Sequence, residues 1–493
     1  MAVGWWRAAR AWDDRGDRGR EQAREIERLR RENERLRRDL ERVEEERDRL
    51  ERERDRLRDE LEAARRAAKR QAAPFSKGKP KATPKRPGRK AGGDYGPRRW
   101  RPRPGHVDQV VDVFPPAACP HCGDAVVGTG DVRVQYQADI PPVRPHVTEF
   151  RSHVGRCPGC RRRVVGRDAR QTSTATGAAA SQVGPNAIAW AAWLHTGLGV
   201  PFAKVATILQ TGFGLPMTPG GLVQALHRVA ARSTPTYHAL VAAVRQAPVV
   251  APDETGWKVA GRLWWLWVFV TREVTVYAIQ PGRGYAQATA ILGARYGGVL
   301  VRDGWAPYRK LSHATHQTCL AHLLRRCHLL LETAQRGAAR FPHAVRRLLL
   351  AALALRDRRD RGALGGHGLR VAIGRLAART DRLLAGRITH PPNRRLLRHL
   401  RTERPALLTF LSRPDVEATN WQAEQAIRPA VVTRKVCGGN RTPPGATTQQ
   451  IVASVLRTCT QQQRDPLELL IALQRSPRPT IADLRLPGPA PPA

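Results

Sequence analysis

The core of the fold is predicted from the stretch Val249-Val250-Ala251-Pro252-Asp253-Glu254-Thr255-Gly256-Trp257. In this stretch a short β-branched run is followed by two acids and a Gly turn. A Trp-rich run over residues 263–270 and a further apolar run over residues 274–279 follow closely. Strands this close together, with Gly-Arg and Arg-Glu at the breaks, predict an antiparallel meander. Further on, a strand over residues 299–301 and a helix start over residues 418–429 are predicted.

Three acids lie at the ends of these predicted elements: Asp253 and Asp303 after strands, and Glu424 on the later helix. Phosphodiester cleavage with two Mg²⁺ ions needs hard oxygen ligands on rigid elements, with the ions roughly 3.5–4 Å apart. Two Asp on neighbouring strands and a Glu on a helix beside them meet that need. A single acid at a strand end is more often a turn or cap residue, so the prediction depends on all three together.

Four motifs together resemble the IS66 family of bacterial insertion-sequence transposases: DETGW (253–257), RDGWAPY (302–308), CLAH (319–322) and NWQAEQAIRP (420–429). The resemblance implies an α/β catalytic core, an RNase H-like mixed sheet with helices. It also implies an Asp-Asp-Glu triad, which falls on Asp253, Asp303 and Glu424, with Mg²⁺ or Mn²⁺ as cofactor. One departure is Trp421, where the family pattern has a second Asn after Asn420.

Two neighbouring acids are alternatives to members of this triad. Glu254 follows Asp253, but side chains alternate along a strand, so Glu254 is expected on the other face. Glu417 precedes Glu424, and its position before the predicted helix suits an acid of the cap region.

The charge of the chain points to a nucleic-acid partner. Of its 493 residues, 85 are Lys or Arg and 43 are Asp or Glu, which leaves a net charge of +42. A balance this basic favours a polyanion, nucleic acid before a membrane surface. No apolar run approaches the length of a spanning helix, and residues 1–20 lack the apolar region of a signal peptide. We therefore expect a cytoplasmic, nucleoid-associated protein without a membrane partner.

Residues 21–64 predict a coiled coil, a leucine zipper. Counting from Ile26, the a positions are Ile26, Asn33, Leu40, Arg47, Arg54 and Leu61, and the d positions are Leu29, Leu36, Val43, Leu50, Leu57 and Ala64. An unbroken apolar d column favours self-association, and an Asn at a position a favours a dimer. The alternative is a single charged helix held by Glu–Arg pairs one turn apart.

Residues 65–104 are rich in Lys, Arg and Pro and predict a disordered basic linker. Residues 105–170 then predict a zinc ribbon, because Cys119 and Cys122 form one Cys-x-x-Cys pair and Cys157 and Cys160 form another. Four thiolates at this spacing suit tetrahedral Zn²⁺. The family resemblance also implies a zinc-binding module here.

Residues 185–235 have a helical pattern that leaves two interpretations open. Helix, Gly-rich turn and helix resemble a helix-turn-helix that enters a major groove. Gln224, His227 and Arg228 are the few polar side chains that could read bases there. The alternative is that these helices pack on the catalytic domain.

The catalytic domain is expected over residues 245–474, with an all-helical insertion over 332–415 and a disordered tail over 475–493. Cys319 and His322 share one helical face, and the resemblance implies an accessory motif; a buried Cys beside a satisfied His is the alternative. The expected DNA-contacting residues are Arg325, Arg326, Arg428, Arg434 and Lys435, with Arg302 also near the triad.

These patterns favour a DNA transposase that binds the ends of its element and cuts and joins strands. Its expected partners are double-stranded element ends and target DNA, a second copy of the chain, and helper proteins encoded beside it. The alternative is a catalytically inactive, transposase-derived regulator that binds DNA.

Overall fold

A computed structural model describes helical residues 25, 27–47, 49–51, 53 and 57, and then residues 103–173, 175 and 182–486. The chain divides into two compact units, Met1–Gly128 and Thr129–Ala493. Nearly all of the expected basic linker lies outside the described residues. No helix in the described part of the chain is long and apolar enough to cross a lipid bilayer.

The first unit contains a helix over residues 27–47, α1. The apolar side chains of the predicted seam are exposed on it and just beyond it, by 50% to 61%; they are Leu29, Leu36, Leu40, Val43, Leu50 and Leu57. Ion pairs such as Arg31–Glu27 also lie along this helix. The coiled coil stays a prediction, and its members Ile26, Arg54, Leu61 and Ala64 lie outside the described side chains.

The second unit contains a five-stranded mixed sheet. Its middle strand is β3 (Val249–Val259), which pairs antiparallel with β4 (Arg262–Val270), and β4 pairs antiparallel with β5 (Thr275–Gln280). The predicted antiparallel meander is therefore confirmed. A separate small hairpin, β1 (Val154–Arg156) and β2 (Arg163–Val165), flanks the second Cys pair.

Two parallel strands complete the sheet on the other side of β3. The first is β6 (Val299–Arg302), with Val249 opposite Val299, and the second is β7 (Thr315–Thr318). The strand order is β5-β4-β3-β6-β7. The sequence did not predict β7, because Thr-His-Gln-Thr contains no apolar residue to mark a buried strand.

Helices cover both faces of the sheet. Val250 shares a core with α2 (Pro185–Ala192), α4 (Pro219–Gln246), α13 (Pro443–Gln461) and α14 (Pro466–Arg475). Ala251, one residue on, shares the opposite core with α7 (Leu320–Thr333) and α12 (Trp421–Cys437). The alternation of side chains along β3 thus separates the hydrophobic cores on the two faces of the sheet.

Of the helices predicted over residues 185–235, α2 and α4 share a core with this sheet, whereas α3 (Phe202–Phe213) packs on α2 and α4. Helix α4 continues to Gln246 because Tyr237, Leu240 and Val244 extend its buried stripe. The expected boundary at residue 235 is therefore wrong. The His227 side chain hydrogen-bonds Thr448 of α13 at 2.6 Å, so it serves packing between helices.

The segment predicted as an insertion, residues 332–415, contains helices and connecting turns without strands. Its helices are α8 (Arg340–Asp360), α9 (Gly366–Ala385), α10 (Pro391–Glu403) and α11 (Thr409–Ser412). Two short helices, α5 (Tyr285–Leu292) and α6 (Ala306–Arg309), lie between strands of the sheet.

The C-terminal part contains two helices and differs from the expectation beyond them. Helices α13 and α14 are separate because Gln463 has a left-handed φ of 57° and Asp465 then caps α14, accepting from the Leu467 and Glu468 amides. The tail predicted to be disordered from residue 475 is packed as far as residue 486, where Ala482 and Leu484 are buried. Residues 487–493 lie outside the described residues.

Candidate active site

Asp253 lies on β3 and shares its face with Ala251 and Trp257, the face that α12 covers. Its Oδ1 accepts a hydrogen bond from the Glu254 amide at 2.9 Å. The pKa of Asp253 is raised to about 7, mainly by burial and then by the negative charges of Glu254 and Asp303, against the lowering effect of the Glu254 amide. A carboxylate in this environment is stabilised by a nearby cation.

Asp303 lies directly after β6, the parallel neighbour of β3. Its Oδ1 accepts a hydrogen bond from the Trp305 amide at 2.9 Å, which fixes the turn. Because Asp303 contributes to the raised pKa of Asp253, the two carboxylates act on each other across neighbouring strands.

Glu424 lies in the first turn of α12, and both ends of this helix are fixed to β3. At the N-terminal end, Asn420 Nδ2 donates to the carbonyl oxygen of Pro252 at 2.9 Å. Towards the other end, Arg434 donates to the carbonyl oxygen of Gly256 and to Thr255 Oγ1. The helix therefore runs along β3 with its first turn beside Pro252 and Asp253.

His322 of α7 lies beside Glu424. Its Nε2 is 3.7 Å from Glu424 Oε1. It interacts electrostatically with Asp303 and Glu424, which raise its pKa, and its charge lowers the pKa of Asp253. His322 therefore interacts with all three predicted acids, most closely with Glu424.

Cys319 connects this imidazole to α12. Cys319 is the largest cause of the raised pKa of His322, and its effect outweighs the burial that would lower it. Burial alone would raise the pKa of the Cys319 thiol, but His322 and the Asn420 amide, 3.2 Å from the sulfur, lower it overall. The predicted Cys-x-x-His pair therefore lies at the site as a polarised pair.

The donor set suits a hard divalent cation. Within the described ranges, no three His, Cys, Asp or Glu side chains form a group that could hold one metal ion. Mg²⁺ is commonly bound through one or two carboxylates, with waters and substrate phosphates completing its shell. Asp253 and Asp303, on neighbouring parallel strands, provide such a pair.

The alternative acid Glu254 lies on the other face, as side-chain alternation predicts. Its side chain is 1% exposed and forms an ion pair of 2.7 Å with Arg283. Tyr308 also donates its hydroxyl to Glu254 at 2.5 Å. Arg283 stacks over the rings of Trp265 and Trp305, at 4.7 Å and 4.0 Å from their centroids. Glu254 is thus bound into a structural cluster. Glu417 lies half-buried before α12.

A buried cluster that the sequence did not reveal fixes the backbone at Asp303. Arg302 and Glu403 form an ion pair of 2.7 Å, with side chains 2% and 0% exposed. Arg302 Nη1 also donates to the carbonyl oxygen of Asp303, and Arg309 Nη1 donates both to that of Gly304 and to Glu403. Arg302, expected among the basic residues around the triad, is therefore buried and not exposed to DNA.

The predicted DNA-contacting residues differ in their surroundings. Arg325 is 59% exposed, with its Nη2 4.0 Å from Glu424 Oε1, and Arg428 and Lys435 are also exposed. Arg326 is half-buried, which lowers the pKa of its guanidinium. Arg434 is bound to the β3 backbone. Of the predicted contacts at the surface, Arg325 lies close to Glu424 in space, and Arg428 follows Glu424 by four residues on the same helix.

Each Cys-x-x-Cys pair lies in a tight turn within its own unit. The Gly123 amide donates to the carbonyl oxygen of Cys119, and the Arg161 amide to that of Cys157. The backbone amide of His121 is the largest cause of a lowered pKa at Cys119, and the amide of Cys160 has the same effect at Cys157. Such turns favour thiolates, the form in which Cys binds zinc.

Comparisons with known proteins define the class. Residues 180–448, more than half of the chain, match the family described as "Transposase IS66 family". Residues 116–161 match the "zinc-finger binding domain of transposase IS66". The chain belongs to the IS66 family of transposases.

A relative from Sinorhizobium fredii (strain NBRC 101917 / NGR234), described as "Uncharacterized protein y4qI", is 26% identical over 228 residues. The aligned region covers 42% of this chain and 42% of that relative. The chain thus spans about two fifths of the length of the curated relative it matches.

Proposed function

We propose that this protein is a DDE-type DNA transposase that binds the ends of an insertion sequence and catalyses metal-dependent strand cleavage and transfer. The observation that supports the proposal is that His322 interacts electrostatically with Asp253, Asp303 and Glu424, and lies 3.7 Å from Glu424. An antiparallel three-stranded meander continued by two parallel strands supports an RNase H-like core.

Asp253, Asp303 and Glu424 would hold two Mg²⁺ or Mn²⁺ ions. When bound, such ions activate a water or a 3′-hydroxyl for in-line attack and stabilise the leaving oxygen. The two Asp are presented by adjacent parallel strands and Glu424 by a helix anchored to the same strand. This rigid support holds the carboxylates in position before DNA arrives.

His322 and Cys319 are accessory residues in this proposal. With Nε2 3.7 Å from Glu424 Oε1, a protonated His322 orients that carboxylate and offsets part of the negative charge of the site. Cys319 favours the protonated form of His322 and ties α7 to Asn420 of α12. The pair therefore acts through Glu424 and needs no contact with DNA.

Arg325 and Arg428 contact backbone phosphates near the cut. Both are exposed, and Arg325 lies within 4.0 Å of Glu424. Contacts of this kind position DNA without reading its sequence. Lys435 adds to the same basic surface, while Arg326 and Arg434 support its framework.

The four cysteines of the two turns, Cys119, Cys122, Cys157 and Cys160, would together bind one structural Zn²⁺ ion. Zinc bound by four thiolates contributes folding energy directly. The domain over residues 105–170 then provides a further contact to DNA, and the coiled coil over 21–64 joins two chains, so that two element ends are held in one complex.

The test is strand nicking of a duplex that carries the element's end, with a gel-shift measurement on the same duplex. A transposase binds this duplex in preference to one with a scrambled end, and cuts it when Mg²⁺ or Mn²⁺ is present. Binding without cutting in either metal would identify a DNA-binding regulator and contradict the proposal.

A further inference from the structure

The side chain of Trp421 differs from every other described Trp in its exposure. The structure describes eight of the 12 Trp residues, and Trp421 alone among these eight is exposed, at 50%. In the described part of the chain, no aromatic ring stacks on its indole and no cation lies over it. Trp is enriched among the residues that contribute most to binding energy, so an exposed indole is a candidate binding residue.

Its position places this indole beside the candidate catalytic residues. Trp421 is the first residue of α12 and stands three positions before Glu424. Residues at this spacing on a helix are neighbours, with Cβ atoms about 5–6 Å apart. Because Asn420 fixes this end of the helix to Pro252, the backbone of Trp421 has a fixed position beside the strand that carries Asp253.

The basic side chains near Glu424 indicate which kind of partner the indole would bind. Arg428, two turns further along α12, is exposed, and Arg325 on α7 lies within 4.0 Å of Glu424. Exposed guanidinium groups beside a planar apolar ring match a nucleotide, whose phosphate and base they would contact separately. Every base has a π-face, so an aromatic ring binds unpaired bases without regard to sequence.

We propose that Trp421 is a stacking platform for an unpaired nucleobase of the DNA end, within about two nucleotides of the phosphate that is cut. This inference rests on the proposed function. The distance follows from the rise of about 3.4 Å per nucleotide along one strand, compared with the spacing of Trp421 and Glu424.

Stacking on Trp421 would also help to position the phosphate that is cut. A base that leaves the duplex to stack on a fixed ring holds its own sugar and phosphate in place, and unpaired bases do so at the lowest energetic cost. The platform therefore favours DNA whose terminal base pairs are open over fully paired DNA.

The test uses the full-length protein at fixed ionic strength with two fluorescent probes. One is a duplex with a short unpaired thymine tail, and the other is the blunt duplex of the same sequence. Trp421→Ala should weaken binding of the tailed probe about 10-fold and of the blunt probe less than about 2-fold. Trp421→Phe should recover most of the loss, because a phenyl ring still stacks.

Leu263→Ala is the matched control, since Leu263 is a large apolar side chain that is 57% exposed on β4. It should bind both probes as the parent does. If Trp421→Ala binds both probes like the parent, or loses both equally, the inference is wrong. A change in sedimentation without a change in either affinity would assign Trp421 to a protein contact, which also overturns it.

The result also separates this inference from the proposed function. If the parent nicks the element's end in Mg²⁺ but Trp421→Ala keeps the parent's preference for the tailed probe, only the platform is refuted. If the parent fails to nick the end in Mg²⁺ or Mn²⁺ while Trp421→Ala shows the selective loss, the proposed cleavage fails and the chain retains a base-stacking site.

Discussion

Glu403 accepts a hydrogen bond from Arg302 at 2.7 Å, and this buried contact joins the helical insertion to the strand that presents Asp303. Glu403 ends α10, about a hundred residues after Arg302 in the sequence. Arg302 donates in turn to the carbonyl oxygen of Asp303. The insertion therefore helps to fix the position of a candidate catalytic acid.

Removing the charge of Glu403 should destabilise the protein strongly. In Glu403→Gln, Arg302 keeps its charge in a buried position without a carboxylate partner, and breaking a buried pair in this way costs about 3–5 kcal/mol. Denaturant unfolding of the second unit measures the loss. Asp381→Asn is the control, because Asp381 pairs with Arg404 at the surface and such pairs contribute about 0–1 kcal/mol. Equal losses in the two variants would contradict the role given to Glu403.

The same carboxylate predicts a dependence of stability on pH. Burial would raise the pKa of Glu403, but Arg302 and Thr318 outweigh it and lower the pKa below the usual 4.5. A lowered pKa gives stability that is present above the unfolded-state value and is lost as the pH falls through the folded-state value. The stability difference between parent and Glu403→Gln should therefore shrink as the pH falls below 4.5. Thermal melts of both proteins across this pH range measure the stability difference. A difference that grows as the pH falls would contradict the prediction.

Zinc content should depend on the four cysteines in the two turns. We expect one Zn²⁺ per chain in protein purified without chelator, and its loss in Cys119→Ser or Cys157→Ser, because a structural zinc site needs all four ligands. Cys437→Ser is the control, since Cys437 is a half-buried thiol on α12 outside the turns. Metal analysis that finds no zinc in the parent, or full zinc in Cys157→Ser, would contradict the assignment.

Self-association should depend on the seam of α1. Leu36→Glu puts a charge on the predicted d column, where Leu36 is 61% exposed in the single chain, so it should weaken the dimer by about 10-fold or more. Arg42→Glu introduces the same side chain off the seam and should leave the dimer in place. Sedimentation of the full chain distinguishes them; a monomeric parent, or equal effects of the two changes, would argue for the single charged helix.

The sequence predicts the part of the fold that local patterns encode. The meander β3 to β5 follows from β-branched and Trp-rich runs with turn residues between them, and a helix does begin after Asn420. Side-chain alternation also places Glu254 on the opposite face from Asp253. These features depend on residues that are close together in the chain.

What the sequence does not reveal depends on contacts between distant segments. Strand β7 has no apolar run, and its place is set by pairing with β6. Glu403 belongs to the run Arg-Thr-Glu, which is typical of an exposed helical face. Its burial results from the ion pair with Arg302, a residue far away in the sequence. The tail over residues 476–486 begins with Ser-Pro-Arg-Pro, a run typical of a loop, yet Ala482 donates its amide to Thr236 of α4. No local pattern indicates these partners.

Strand nicking by variants of the triad tests the central proposal most directly. Asp303→Asn keeps the size of the side chain and removes the charge that a divalent ion needs. Asp303→Asn, Asp253→Asn and Glu424→Gln should each cut an end-containing duplex at least about 100-fold more slowly than the parent. Each should still shift that duplex in a gel, because Arg325 and Arg428 are unchanged.

Asp415→Asn is the matched control in this experiment, since Asp415 pairs with Arg413 at the surface and the same substitution there should leave cutting at the parent's rate. Glu417→Gln should remain at least partly active, and so should Glu254→Gln where it folds. The account predicts loss of Mg²⁺-dependent nicking in the three triad variants alone, with DNA binding retained. Triad variants that nick the duplex as fast as the parent would contradict it.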